Sequence, residues 1–356
     1  MKLALQIEHE SSPPLFHPGD PLRATLEIRG CFFKHVPRVT ATFRGRLTVK
    51  ASPGLNTCCP TECNYTLFEQ SEDLKILQSA AVNDNSGGCV YLCPIEFKFP
   101  TDLNCACQNA CQLPSSISVN DGKLRIRSTY LLSATVKRCI LGKMSRSKSV
   151  KRELMFSCNP PVINLAASCT VALPVYKLNQ SLKSASRDLI GLDESLPLYY
   201  PSLHMDIALP EPPVLIRGQG TPLRLKFHTP HELFQGADIY VRSVEIQMQA
   251  VVSAFLQSEW QSMAETRYAN TIHGAVPIES EHFELDLGAW GTFIVVQSRP
   301  SSSSCLLKSD YAVQFIVGIS NGLESSIQYL EASLDVLVMD PPPTYDAATH
   351  DDVNDA

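Results

Sequence analysis

The sequence predicts an all-β fold of two β-sandwich domains. Three observations carry this. Apolar residues recur with period two along most of the chain, the mark of strands with one buried face. No convincing amphipathic helix separates these rows, which argues against βαβ units and for packed sheets. The length of 356 residues suits about two domains, each long enough to bury its own core.

The rows follow in order. Leu3, Leu5 and Ile7 alternate with polar residues. Pro18-Gly19-Asp20-Pro21 is a strong turn signal. After it Leu22, Ala24, Leu26 and Ile28 face one way and Arg23, Thr25, Glu27 and Arg29 the other. Val39, Ala41, Phe43, Leu47 and Val49 share one parity, as do Cys93, Ile95, Phe97 and Phe99. The longest row is Leu124, Ile126, Ser128, Tyr130, Leu132, Ala134 and Val136. Between these rows, Pro53 to Gly88 reads as a long loop or insertion, with pure turn chemistry at Asn83–Gly88. The strand pattern lapses from Val175 to Pro201, where either a short amphipathic helix (Leu178, Leu182, Ala185, Leu189) or a Ser-rich linker fits. Strands resume with Met205–Leu209, Leu223–Phe227, Val244–Val252, Phe283–Leu287, Val313–Ile319 and Ala332–Val338, and the Ser301–Ser304 run reads as a loop tip. The expected division is a first domain at 1–174 with a Cys-rich insertion at about 53–112. A linker at 175–201, a second domain at 202–339 and a tail at 340–356 follow.

The net charge is −6 with both signs mixed, so nothing global points to nucleic acid. The opening Met1–Leu5 is too short for a signal-peptide apolar region, and no run approaches a membrane span. The expectation is a cytoplasmic protein whose 13 cysteines are mostly reduced thiols.

The clearest functional signal is Pro341-Pro342-Pro343-Thr344-Tyr345. Consecutive prolines fix φ and hold an extended polyproline II segment. Such a segment loses little entropy on entering an aromatic groove. Pro342, Pro343, Thr344 and Tyr345 fit the PPxY form read by WW domains. Asp340, Asp346, Asp351, Asp352 and Asp355 surround them, so a solvated, disordered tail is expected.

Taken in order, these segments resemble the arrestin family, and within it the fungal alpha-arrestins. The opening strand with Pro18-Gly19-Asp20-Pro21 is similar to the start of the arrestin N-domain. Phe97-Lys98-Phe99-Pro100 ahead of Leu113-Pro114-Ser115-Ser116-Ile117 resembles that family's FPF-type strand and LPxSF-like segment, and Tyr130–Arg138 its next strand. Leu209-Pro210-Glu211 and Gly220–Leu225 resemble the start of the C-domain. The resemblance implies two arrestin-like, immunoglobulin-like sandwiches in a non-enzymatic adaptor, peripheral at plasma membrane or endosomes. Its PPxY would recruit the WW domains of a HECT-type ubiquitin ligase to membrane transporters or receptors, promoting their ubiquitination and endocytosis. Two departures stand out: one PPxY where many relatives carry several, and no long low-complexity tail. An arrestin-fold sorting or signalling scaffold, acting without ligase recruitment, is the alternative.

Two further constellations are candidates. Lys137, Arg138, Lys143, Arg146, Lys148, Lys151 and Arg152 read as a mobile basic hairpin tip. Such a tip would contact acidic cargo tails, phosphate groups or an anionic membrane surface, or serve only as an ordinary solvated hairpin. Eight cysteines crowd between positions 58 and 111. Among them Cys59, Cys63, Cys107 and Cys111 have spacings loosely compatible with a zinc site, though not the tight CxxC form; free thiols are the competing reading, and Cys93 falls on a core parity. No cofactor is otherwise expected. The nine histidines are scattered, and neither HExxH, GxSxG nor a phosphate loop occurs. Glu279 and Glu281 read as solvated acids on a strand edge.

Overall fold

The computed structural model describes residues 2–9, 14–30, 38–52, 61–76, 82–83, 89–103, 111–138, 146–158, 164–178, 202–231, 238–286, 293–295 and 300–341. The architecture is all-β, built from layered sheets of sandwich type. The chain divides into two units. The first holds Met1–Pro161, Val251–Met263 and Ser302–Ser309; the second holds Val162–Ala250, Ala264–Ser301 and Asp310–Ala356.

The strands up to Phe156 are β1 (Lys2–Glu8), β2 (Leu15–Phe16), β3 (Pro21–Gly30), β4 (Arg38–Ala51), β5 (Thr61–Leu74) and β6 (Val82–Asn83). They continue with β7 (Cys89–Lys98), β8 (Asp102–Leu103), β9 (Cys111–Gln112), β10 (Ile117–Asn120), β11 (Leu124–Arg138) and β12 (Arg146–Phe156). One sheet runs β1-β3-β7-β6 and the other β2-β12-β11-β4-β5, with β10 on β11. Alternation is the reason. Val39, Ala41, Phe43, Leu47 and Val49 of β4 and Leu22, Ala24, Leu26 and Ile28 of β3 lie in one core. Cys93 is fully buried in it, as its parity requires. The turn before β3 forms as read. Gly19 takes φ +83°, and Asp20 accepts a 2.7 Å hydrogen bond from the His17 amide.

An aromatic cluster fills the centre of this core. Phe43 meets Phe99 at 4.7 Å, Phe99 stacks on Phe156 at 5.1 Å, and Tyr130 meets Phe156 at 4.8 Å between ring centroids. The Tyr130 hydroxyl donates to the Pro114 carbonyl at 2.5 Å. The next two residues anchor the end of β12. Ser116 Oγ accepts from the Phe156 amide at 2.9 Å, and Ser115 Oγ accepts from the Cys158 amide at 3.0 Å.

The remaining elements are β13 (Ser168–Pro174), the one-turn helix α1 (Val175–Leu178), β14 (Ser202–Ala208), β15 (Val214–Ile216), β16 (Gly220–Thr221) and β17 (Arg224–His228). Then come β18 (Ile239–Leu256), β19 (Glu259–Pro277), β20 (His282–Asp286), β21 (Phe293–Ile294), β22 (Ser302–Ser303), β23 (Leu307–Asn321) and β24 (Gln328–Met339). Their main sheets run β13-β14-β17-β20 and β15-β24-β23-β18-β19, with β22 on β23. The plan of the earlier strands is repeated. A short strand lies parallel to the last long one in both places, β2 beside β12 and β15 beside β24, and β14-β17-β20 matches β1-β3-β7.

Four expectations change. The supposed gap from Pro53 to Gly88, and with it the insertion at about 53–112, contains the 14-residue strand β5, paired along β4. It is an edge strand whose only fully buried side chain is Leu67; its row Cys63, Tyr65, Leu67 is short and breaks where the register shifts before Phe68. The basic stretch is not a mobile tip where it is described. Lys137 and Arg138 lie on β11, and Arg146, Lys148, Lys151 and Arg152 on β12, in continuous antiparallel register. The Ser301–Ser304 run is not a loop tip, because Ser301, Ser302 and Ser304 are buried. Ser301 Oγ accepts from the Val338 amide at 2.9 Å, and Ser304 Oγ from the Leu307 amide at 2.9 Å. Glu279 and Glu281 lie between β19 and β20, outside any strand, and Glu281 Oε1 pairs with His231 Nδ1 at 2.8 Å.

Gly45 of β4, facing the bulge at Leu67 of β5, is a tight point. A Cβ there would stand 2.8 Å from the Phe68 ring and 2.9 Å from the Tyr130 ring. Gly45→Ala is therefore expected to lower stability by about 1–3 kcal/mol through overpacking. Urea unfolding checks it; an unchanged midpoint and slope would show that the aromatic cluster yields without strain.

Candidate functional site

The Pro-rich tag leaves the body at a fixed point. β24 runs parallel to β15 with Ile216 opposite Met339. One residue on, Arg217 Nη1 lies 3.0 Å from Asp340 Oδ1, and the Asp340 side chain is only 16% exposed. The Arg217 amide also donates to the Met339 carbonyl at 3.0 Å. Pro341 is exposed. Pro342, Pro343, Thr344 and Tyr345 lie outside the described residues.

Register settles how the basic residues are shared between sheet faces, since directly opposed residues share a face and neighbours alternate. On β12, Lys151 opposes Ser133, whereas Lys148 opposes Val136 and Arg152 opposes Leu132. Lys137 and Lys151 thus stand on the outer face. Lys148 and Arg152 have the parity of the core, and Arg152 Nε reaches the Leu5 carbonyl at 3.4 Å. Arg138 and Arg146 pair in the backbone register; Lys143 lies outside the described residues. The four basic residues with described side chains do not form one patch.

The outer face holds a stronger cationic site that the sequence reading missed. Arg44, Arg46 and Thr48 of β4, Arg127, Thr129 and Leu131 of β11 and Glu153 of β12 line a depression of about 230 Å³. Arg127 Nη2 binds both Glu153 oxygens, at 3.2 and 3.0 Å. Arg44, half-buried, and Arg46 make no ion pair or side-chain hydrogen bond among the described residues. Their attraction is for an anion, and guanidinium groups bind carboxylate or phosphate bidentately. The signal was present as Arg44-Gly45-Arg46 on the polar parity of β4, but only pairing with β11 brings Arg127 beside it.

Acids flank this site. Glu69 opposes Arg44, Glu62 opposes Lys50 and pairs with it at 2.5 Å, and Asp73 opposes Thr40. Arg38, first among its partners, holds the Asp73 carboxyl below the usual range, and Lys50 does the same for Glu62. The matching rows of the second unit hold Glu245, Gln247 and Gln249 on β18, Gln314 on β23, and Glu331, Ser333 and Asp335 on β24. One topology supports both surfaces, so the strand plan does not itself demand arginines.

Of the proposed zinc ligands, Cys63 lies on β5 opposite Val49 and Cys111 on β9 opposite Leu103; Cys59 and Cys107 lie outside the described residues. Burial, and then Cys111 beside it, push the Cys305 thiol up to about 11. Among the described residues no three His, Cys, Asp or Glu side chains are grouped to hold a metal ion. No described helix is long and apolar enough to cross a membrane.

Comparison with known proteins adds no identity: no family model matches the chain, and neither does any curated protein.

Replacing both Arg44 and Arg46 by Gln is expected to leave unfolding free energy within about 0.5 kcal/mol of the parent, as for surface residues without structural partners. Thermal melts check it. A loss above about 2 kcal/mol would make these arginines structural and remove the site.

Proposed function

We propose that this chain is a non-enzymatic adaptor of arrestin type. Its two sandwich-type units hold a partner while Pro342-Pro343-Thr344-Tyr345 takes a WW domain of a HECT-type ubiquitin ligase. The observation that carries the reading is the placing of the tag. It begins two residues beyond Asp340, which is ion-paired at the end of β24, so a docked ligase is tethered within a few residues of a rigid body. Effective concentration rises with such short tethers. The partner side of the adaptor is served by the cationic depression at Arg44, Arg46 and Arg127, which suits an acidic segment of a membrane transporter or receptor tail. Ubiquitination and endocytosis of that cargo would follow. A lone PPxY binds weakly without avidity, which fits a ligase with several WW domains meeting several cargo-bound adaptors. The scaffold reading, without ligase recruitment, is favoured by one feature: the cationic depression needs no tail to work.

The test is titration of the protein and its Tyr345→Ala form with the WW-domain array of a HECT ligase. Saturable binding by the parent is expected, weakened at least tenfold in the variant. Equal binding by both, or none by either, would reduce the tag to a terminus and leave the scaffold.

A further inference from the structure

The second unit's four-stranded sheet carries a histidine row that the adaptor reading leaves unused. His204 on β14 opposes His228 on β17, and His228 opposes His282 on β20. His228 Nδ1 lies 2.9 Å from His282 Nδ1. His228 Nε2 lies 2.8 Å from Asp206 Oδ2, and the other Asp206 oxygen accepts from Thr170 Oγ1 at 2.6 Å. In the neutral pair, His228 donates Nε2–H to the Asp206 carboxylate and its Nδ1 accepts from His282 Nδ1–H.

We propose that His228 Nδ1 and His282 Nδ1 form a binding site for a late first-row divalent ion of tetragonal preference, Ni²⁺ or Cu²⁺, oriented by Asp206 and completed by water. Imidazole nitrogens suit these metals, and square geometry is their habit with nitrogen and oxygen ligands. The two Nδ1 atoms, 2.9 Å apart as a hydrogen-bonded pair, are close enough for one ion to bridge them with metal–nitrogen bonds of about 2.0–2.1 Å once the proton between them has left. A ligating histidine commonly gives its other N–H to a carboxylate, which fixes the tautomer and raises basicity; Asp206 and His228 are already so arranged. Binding leaves both rings neutral. His282 moves its proton from Nδ1 to Nε2 through solvent, and small rotations turn the two lone pairs toward a common point. His282 is exposed and free to make that rotation. With only two protein nitrogens, the ion keeps solvent ligands and exchanges readily.

The probe is Ni²⁺ titrated into the full chain, stripped of metal and kept reduced, by calorimetry and absorption. One ion per chain is expected, with a ligand-field spectrum of nitrogen and oxygen ligation. Affinity should fall at least tenfold in His282→Ala and in His228→Ala, and about tenfold to a hundredfold in Asp206→Asn. Circular dichroism confirms that each variant folds; if His228→Ala does not, His282→Ala and His282→Gln decide. Affinity unchanged in the His282 variants overturns the proposal. So does a single nickel site with thiolate charge transfer, which would put the ion on the cysteines. Because the site shares no residue with the tag, these outcomes do not depend on WW binding.

Discussion

The hydroxyl of Tyr130 is the point on which the first unit depends. A buried tyrosine brings a large apolar body and one polar group that needs a partner. Here the ring joins Phe99 and Phe156 across the core, and the hydroxyl is met by the Pro114 carbonyl. That bond fixes Pro114, and with it Ser115 and Ser116, whose hydroxyls receive the amides at the end of β12. The central strand, the loop before β10 and the last strand are thus tied at one place. Removing a partner from a buried hydrogen bond costs about 1–3 kcal/mol, so the loop's conformation follows from the core.

Much of this was legible because half-buried strands print their burial on the sequence. Val39, Ala41 and Phe43, or Val313, Phe315 and Val317, announce both strand and face, and all are buried. What failed to show has distinct physical causes. β5 alternates only as far as Leu67; an extra residue there shifts the parity, and Gln70 and Glu72 then stand where apolar residues would continue the row. Ser301 and Ser304 were misread because serine is common in loops, yet a hydroxyl that satisfies a backbone amide belongs in a core as well. The cationic depression and the histidine row share another limit. Each is assembled from neighbouring strands, and pairing register is not written in any one strand.

The repeated strand plan separates what the topology fixes from what it leaves open. Both six-stranded sheets place a parallel short strand at one edge and long antiparallel strands behind it. Buried inward residues are mostly apolar in both. Outward residues diverge: arginine around β4 and β11, glutamine, serine and acid around β18, β23 and β24. Packing constrains the inner parity, while the outer parity is open to recognition.

The edge strand β5 has a consequence for how such a protein survives at high concentration. Among the described residues no strand pairs with the outer edge of β5, so its backbone is a template on which a second chain could extend the sheet. Glu62, Glu69, Glu72 and Asp73 are spaced along that rim, so two copies approaching rim to rim would bring carboxylates together and be pushed apart. Those carboxylates oppose the strand's becoming a seed for aggregation.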